Sequence, residues 1–316
     1  VILSIAIILI LVAVFLIIVY KRLQITRRQK QIIEEQKKLV EQQKTLVEKK
    51  NQEITESIIY ARRIQEAILP SVAKWQALLP NSFVLYIPRD IVAGDFYWIQ
   101  ETENYTFVAA ADCTGHGVPG AMVSVLCRNA LTKVVQEEKC YQTHIILQRV
   151  KEIVVEWLSK DSEPLLDGMD ICLVRLEKEN PLHIQYSGAN RPLWIVRKKQ
   201  IQEYQPTKQP IGLYEASLPF QSYDIFLEAG DAVYLVTDGY ADQFGGPKGK
   251  KMGTKKLKEF LISISEDLPS IQLQKVREFF TTWKGTEEQV DDVTLVGFVA
   301  QPVAALLSLQ QELKKA

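Results

Sequence analysis

The first twenty residues of this 316-residue chain carry no charge and only one polar side chain besides the terminal tyrosine, Ser4. As a helix, a segment of this length measures roughly 30 Å, which matches the hydrocarbon core of a bilayer. A signal peptide usually has a shorter apolar core and ends in a small-residue cleavage site, and we find no such site here. Residues 1–20 therefore predict a transmembrane helix.

Positive charge follows this apolar run at once, at Lys21, Arg22, Arg27, Arg28 and Lys30. Lysine and arginine residues beside a membrane span tend to stay on the cytoplasmic side. We therefore expect a single-pass protein of the inner (cytoplasmic) membrane whose remaining residues lie in the cytoplasm. Because the chain opens with Val1 rather than Met, we also expect it to be part of a longer protein.

Residues 21–70 predict a helical coiled-coil linker. The segment is rich in Gln, Glu and Lys, and apolar residues recur every seven positions at Ile33, Val40, Val47, Ile54, Ala61 and Ile68. The companion seam positions are mostly polar, at Gln36, Gln43, Lys50 and Ser57. An imperfect heptad pattern of this kind favours a marginal homodimer over a solvated single helix. Pro70 should end the helix, since proline disfavours helix at the preceding residue.

Composition limits the possible functions of the chain. The 38 basic and 38 acidic residues balance, so no global field favours binding to nucleic acid. The four cysteines form no CxxC pair, which gives a cysteine zinc site no support and suggests free thiols. With only three histidines, histidine-based metal chemistry is also limited.

Residues 71–300 predict one globular domain, followed by a short amphipathic or loose tail at 301–316. Strand patterns outnumber helical ones, and several pairs of strands look like hairpins. We expect strands at 82–87, 96–100, 105–111, 171–176, 182–187, 193–197, 224–227, 232–237 and 294–300. We expect helices at 120–138, 145–159, 255–265 and 270–283. This mixture indicates an α+β layered domain rather than regular βαβ units.

Four aspartate-bearing strings in this domain share one design, because each places a carboxylate at the end of an apolar strand or in the adjoining turn. Their acidic residues are Asp95, Asp112, Asp238 and the pair Asp291 and Asp292. Several partly desolvated charges would repel one another, and divalent cations would make them tolerable. Oxygen-only ligands favour Mg²⁺ or Mn²⁺ over zinc. Asp-Gly is also a common turn, but four unrelated turns explain the pattern less well.

These strings resemble the metal-dependent PPM phosphatases, and in particular their bacterial SpoIIE-type branch. The most specific string runs from Asp112 to Ser124, DCTGHGVPGAMVS, and it is followed in the expected order by LVTDG at 235–239 and DDVT at 291–294. The resemblance covers residues 56–299 and implies a four-layer αββα sandwich. It also implies hydrolysis of phosphoserine or phosphothreonine by a metal-activated water, without a covalent enzyme intermediate.

The resemblance also assigns roles to individual residues. Asp112 would bridge two Mn²⁺ or Mg²⁺ ions, and Asp95 would bind directly or through water. The backbone carbonyl of Cys113 would complete one metal site, while Asp238 and Asp291 would hold the other metal. Two points stay open: Asp292 rather than Asp291 is an alternative ligand, and Asp242 would contribute to a third, weaker metal site.

Three further residues have weaker claims. His116, in the Gly-His-Gly loop, would act as general acid or orient a water, or it would simply bond the loop backbone. Arg89 and Arg191 would bind phosphate, or each would form an ordinary surface ion pair. Between the two arginines, Arg89 is the better candidate because it precedes the Asp95 strand end.

The resulting prediction is a membrane-anchored serine/threonine protein phosphatase that acts on a phosphorylated regulatory protein in bacterial signal transduction. One alternative is a membrane signalling scaffold that binds phosphoproteins without hydrolysing them, which the intact acidic set disfavours. A second alternative is a diguanylate cyclase-like enzyme. For that class Phe96 stands where a glutamate is required, and the later aspartate strings would go unexplained.

Overall fold

A computed structural model of the protein describes residues 2–159, 166–214 and 217–303. The chain divides into two units, residues 1–57 and 58–316. The first unit contains only helix, and its described residues are exposed. Its N-terminal part is long and apolar enough to cross a membrane, with a mean hydropathy of 3.6 over its most apolar window. The predicted tail lies outside the described residues from position 304 onward.

The helices, numbered in chain order, are α1 Ile2–Ile68, α2 Val72–Leu78, α3 Gly117–Gln136, α4 Thr143–Leu158, α5 Gly239–Asp242, α6 Thr254–Ile264 and α7 Pro269–Lys284. The strands are β1 Ser82–Ile87, β2 Phe96–Glu101, β3 Tyr105–Cys113, β4 Gly168–Glu177, β5 His183–Ala189, β6 Leu193–Arg197, β7 Gln200–Tyr204, β8 Ile211–Gly212, β9 Tyr223–Phe226, β10 Ala232–Val236, β11 Phe244–Gly245, β12 Lys250–Lys251 and β13 Val293–Val299.

Two antiparallel sheets form the centre of the second unit. One has the strand order β2-β3-β4-β5-β9, with β8 added beside the start of β4. The other has the order β1-β13-β10-β6-β7. Strands β11 and β12 form a separate short hairpin. All the ladders that join these named strands are antiparallel.

Strand β3 explains why the sheets are covered on both faces. Its side chains alternate, so that Phe107 and Ala109 pack against α3 and α4 while Val108 and Ala110 face the second sheet. A third apolar cluster joins the outer face of the second sheet to α6 and α7. The chain therefore forms four layers, helix–sheet–sheet–helix, and the predicted αββα sandwich is confirmed.

All nine predicted strands and all four predicted domain helices are present, with boundaries that differ by at most three residues. Four short strands and two short helices were not predicted. Strand β7 lies at a sheet edge and is mostly polar, while β8, β11 and β12 have two residues each, too few to show a period. Helix α2 has only seven residues and begins two residues after Pro70, with Ser71 as its N-cap.

Gln65 attaches the last turns of α1 to the domain. Its side chain is buried, and its Nε2 donates to the carbonyl of Ala93 at 2.6 Å and to the hydroxyl of Ser124 at 3.2 Å. The amide of Ala93 donates in return to Gln65 Oε1 at 3.1 Å. This glutamine thus satisfies both backbone groups of a residue that lies two positions before Asp95.

We expect Gln65→Met to destabilise the second unit by about 1–3 kcal/mol, because it leaves the buried amide and carbonyl of Ala93 without these partners. Denaturant unfolding of the purified chain measures the change. Gln52→Met is the matched control on the same helix, since the side chain of Gln52 is exposed and bonds the neighbouring Glu56. A Gln65→Met variant as stable as this control would contradict the structural role of the glutamine.

Candidate active site

The predicted acidic residues gather at one end of the two sheets. Asp95 directly precedes β2, and Asp112 lies next to the last residue of β3, opposite Asp170 of β4. From the other sheet, Asp238 follows β10 and Asp291 precedes β13. In an antiparallel sheet the end of one strand lies beside the start of its neighbour. Residues that are far apart in the chain therefore meet at this end of the sheets.

Two glycines let the backbone segments of this edge approach closely. A Cβ on Gly94 would lie 2.6 Å from the carbonyl oxygen of Gly115, and a Cβ on Gly239 would lie 2.0 Å from the carbonyl oxygen of Asp292. Both contacts are with backbone, which cannot move aside as a side chain would. Glycine is therefore required at both positions for the acidic loops to pack.

Asp292 and Asp291 have different surroundings although they are adjacent. Asp292 is buried, and its two carboxylate oxygens accept hydrogen bonds from the amides of Arg89 and Gly94, each at 2.7 Å. The Asp291 carboxylate accepts the amide of Asp292 at 2.8 Å, and the side chain borders an open cleft. The Asp292 carboxylate thus joins the backbone at Arg89 and at Gly94 to its own segment. The Asp291 carboxylate keeps lone pairs for another partner.

Asp95 links the two sheets. It is 1% exposed, and its Oδ2 accepts the hydroxyl of Thr237 at 2.7 Å. The Thr237 hydroxyl also accepts the amide of Thr294, so a side chain at the end of β10 connects β13 to the start of β2. In addition, the hydroxyl of Tyr86 donates to the Asp95 carbonyl at 3.2 Å.

Arg191 lies among the remaining carboxylates. Its Nη2 donates to Asp112 at 2.6 Å and to Asp238 at 2.7 Å, and it lies 3.3 Å from Asp170. The arginine side chain is only 14% exposed. One guanidinium nitrogen therefore bridges carboxylates from both sheets.

Burial and mutual repulsion shape the charges of this cluster. Burial raises the pKa of Asp112, and the Asp95 carboxylate raises it further, against the opposing effect of Arg191. Burial also raises the pKa of Asp95 to about 8, although the Thr237 hydrogen bond works in the opposite direction. The pKa values of Asp170 and Asp291 are raised as well, again chiefly by burial. The cluster would therefore gain stability from added positive charge.

Two clefts open onto the cluster. One, of about 300 Å³, brings Arg89 and His116 beside Asp112, Asp170 and Asp291. The Nδ1 of His116 lies 3.0 Å from Asp90 Oδ2, and Arg89 Nη1 donates to the carbonyl of Val290 at 3.0 Å.

The second cleft, of about 550 Å³, is lined by Arg191, Lys208, Asp238 and Asp242. Lys251 of the β11–β12 hairpin forms an ion pair with Asp242 at 2.8 Å. Asp242 thus lies one helical turn beyond Asp238 and already has a cationic partner. The Cys113 side chain, by contrast, is buried in the core against α3, so that only its backbone faces the acidic loops.

The donors of this cluster fit hard divalent ions, because they are carboxylates together with a backbone carbonyl. Within residues 2–159, 166–214 and 217–303, however, no three Asp, Glu, His or Cys side chains already form a compact metal-binding group. In this cluster Arg191 donates to Asp112 and to Asp238. If ions bind here, Asp112, Asp238 and Asp291 would hold them, with the Cys113 carbonyl and Asp95 nearby.

Sequence reasoning missed three members of the site. Asp170 directly precedes the apolar run of β4, much as Asp291 and Asp292 precede the apolar run of β13, and that pattern is a signal for it. Asp90 and Thr237 carry no comparable signal, because their roles depend on His116 and Asp95, which lie far from them in the chain.

The profile of the Stage II sporulation protein E (SpoIIE) family matches residues 102–299 of the chain, which is well over half of its length. The chain belongs to the SpoIIE family. The family and the fold together identify it as a serine/threonine protein phosphatase of the PP2C (PPM) type. Comparison with curated proteins gives no match.

Solved structures agree with the fold. The SiaA-PP2C domain of Pseudomonas aeruginosa is 28% identical with a TM-score of 0.73, and the match covers 79% of this chain and 98% of that one. The SpoIIE phosphatase domain with part of its regulatory domain, from Bacillus subtilis, is 17% identical with a TM-score of 0.58, over 70% and 62%. The RsbU and RsbW domains of a Mycobacterium tuberculosis protein are 21% identical with a TM-score of 0.56, over 70% and 60%.

We expect Asp95→Asn to stabilise the SpoIIE-family chain in EDTA, and more so at high pH. The pKa of Asp95 is about 8 in the folded chain and about 4 when unfolded, so stability is lost as pH rises between these values. Asparagine keeps an acceptor for Thr237 but carries no charge. At about pH 8.5 the gain should be roughly 2 kcal/mol or more, and it should shrink toward about pH 5.

Thermal unfolding at several pH values measures this gain. Asp267→Asn is the control, because Asp267 is a partly exposed carboxylate that accepts from Lys275 outside the cluster. A gain that does not change with pH, or a loss that grows with pH, would contradict the raised pKa of Asp95.

Proposed function

We propose that this phosphatase is metal-dependent and removes phosphate from serine or threonine of a regulatory protein, from a position anchored at the bacterial inner membrane. The observation that carries the catalytic part is the convergence of Asp112, Asp238 and Asp291 from two sheets, with the buried Asp95 behind them. The raised pKa values of Asp95, Asp112 and Asp291 indicate a cluster that lacks sufficient positive charge.

In this proposal two Mn²⁺ or Mg²⁺ ions are held at the cluster, and when bound they supply charge neutralisation and activation of a water for attack on phosphorus. Asp112 would serve both ions, and the Cys113 carbonyl would serve one of them. Asp238 and Asp291 would serve the other ion, and Asp95 would bind directly or through water. We favour Asp291 over Asp292 as the ligand because both Asp292 oxygens already accept backbone amides. Asp242 is proposed for a third, weaker site.

We propose that Arg89 and His116 act on the substrate phosphate from the smaller cleft. Both border the same cleft as Asp112 and Asp291. Arg89 would donate hydrogen bonds to phosphate oxygens, and His116, oriented by Asp90 at 3.0 Å, would protonate the leaving serine oxygen.

For the catalytic proposal we expect Asp112→Asn and Asp238→Asn to lower kcat by about a hundredfold or more, because each removes charge that must hold the reacting groups in place. Hydrolysis of a generic phosphate ester is measured with EDTA, Mg²⁺ or Mn²⁺, and we expect turnover only with a metal. Asp267→Asn should retain wild-type turnover. Turnover in EDTA equal to that with Mn²⁺ would contradict metal dependence. No turnover with any metal, together with no metal binding, would favour the phosphoprotein scaffold instead.

The proposed substrate is a phosphorylated regulatory protein. This part rests on the family and on a solved structural relative that combines RsbU and RsbW domains in one chain. Phosphopeptide hydrolysis by the wild-type chain, compared between phosphoserine, phosphothreonine and phosphotyrosine, tests the substrate class. Preference for phosphotyrosine would contradict it.

The anchoring proposal rests on the uncharged start of α1, and the dimer proposal rests on the heptad pattern between residues 33 and 68. We expect deletion of residues 1–20 to move the protein from the membrane fraction to the soluble fraction, because the remaining chain lacks the apolar run. A truncated protein that stays with the membrane would contradict the anchoring proposal.

The released protein should sediment as a dimer through its coiled coil. A truncated protein that sediments as a monomer would contradict the dimer proposal.

A further inference from the structure

Arg191 lies in the tight turn between β5 and β6, and its backbone is held firmly. Its amide donates to the carbonyl of Ala189, the last residue of β5, at 2.7 Å, and its carbonyl accepts the hydroxyl of Tyr186 at 2.7 Å. The preceding Asn190 has φ of 55° and donates its side-chain amide to Asp170 at 2.8 Å. These bonds fix the backbone position of Arg191, so only its side chain is free to change position.

The guanidinium is held by charge rather than by a complete set of hydrogen bonds. Its Nη2 reaches Asp112, Asp170 and Asp238, while its Nε is buried and has no hydrogen-bond partner among the described residues. Three carboxylates therefore face this side chain, and a guanidinium is not deprotonated in proteins. The side chain is thus a permanent cation among carboxylates, with one donor unsatisfied.

This guanidinium and a divalent ion would share the same two carboxylate oxygens. Nη2 lies 2.6 Å from Asp112 Oδ2 and 2.7 Å from Asp238 Oδ2, so an ion bound to both oxygens would lie directly against the guanidinium. Two cations at such close range would repel each other. This conflict concerns two of the residues that the proposed function assigns to metal.

We propose that Arg191 is an internal cation that competes with divalent ions for Asp112 and Asp238, so that it stabilises the metal-free domain and lowers its affinity for metal. The inference rests on the proposed metal site. Arg191 acts here as a positioning residue that sets the threshold of metal concentration at which the site fills. Arg191 thus changes the affinity of the site for the ions, and this affinity is measured in the absence of any substrate.

The first experiment titrates Mn²⁺ into the full chain in detergent, after EDTA treatment and buffer exchange, by calorimetry. We expect Arg191→Gln to bind Mn²⁺ about tenfold or more tightly than the wild type, because the competitor is gone. Arg191→Lys should fall between the two, since it keeps the charge but has a shorter reach. In EDTA, Arg191→Gln should unfold at a lower temperature than the wild type. After the EDTA is removed, added Mn²⁺ should raise the unfolding temperature of this variant more than that of the wild type.

Arg197→Gln is the matched control. Arg197 is the last residue of β6, the strand that follows the turn of Arg191, and it binds the buried carboxylate of Asp231. This variant also removes an arginine from a buried carboxylate, so it should lose stability but keep the Mn²⁺ affinity of the wild type. An Arg191→Gln variant whose Mn²⁺ affinity equals or falls below that of the wild type would overturn the inference.

A second measurement uses the unmodified chain and does not depend on a variant that folds. Phenylglyoxal modifies accessible guanidinium groups, and mass spectrometry reports the modified fraction at Arg191. We expect little modification in EDTA and at least several-fold more with Mn²⁺, whereas Arg197 should react equally in both. Equal reactivity of Arg191 in both conditions would overturn the displacement.

The outcomes separate this inference from the proposed function. If the wild type binds Mn²⁺, and Asp112→Asn weakens that binding, the metal site stands and only the behaviour of the Arg191 variants decides the inference. If the wild type binds no Mn²⁺ and shows no thermal shift with it, both are overturned. If Arg191→Gln leaves Mn²⁺ affinity unchanged but weakens binding of inorganic phosphate, Arg191 is a phosphate ligand and not a competitor.

Discussion

Mutual repulsion among desolvated carboxylates is the constraint around which this end of the protein is built. The two sheets bring Asp95, Asp112, Asp238 and Asp291 to one edge, and close packing of the sandwich prevents them from moving apart. Part of the repulsion is offset by hydrogen bonds from Thr237 and by the guanidinium of Arg191. Such a cluster lowers the stability of the folded domain and creates a site that favours added positive charge.

The cluster is also mechanically connected to the rest of the second unit. Asp292 holds the amides of Arg89 and Gly94, and Gln65 of α1 holds both backbone groups of Ala93. The short segment before Asp95 is therefore fixed from one side by a helix and from the other by the start of β13. A change in either contact would alter the position of Asp95 relative to the other carboxylates, since these bonds hold the segment in place.

Much of the architecture could be read from local pattern. Near-continuous apolar runs such as those of β3 and β10 predicted buried strands, because both faces of each sheet are covered. The edge strand β7 escaped prediction because its side chains face solvent on most positions and show no apolar run. The acidic positions were predictable for a related reason, since an aspartate that ends an apolar strand stands out against its surroundings.

The sequence by itself determined the apolar start of α1, the long helix before Pro70, the order of the main strands and helices, and the positions of the strand-end aspartates. Only the tertiary structure decided that Asp292 binds backbone amides while Asp291 borders a cleft, that Thr237 meets Asp95, and that Arg191 bridges Asp112 and Asp238. The physical reason is distance along the chain. Period and propensity act over a few residues, whereas these contacts join residues that are 47 to 203 positions apart and form only when two sheets pack.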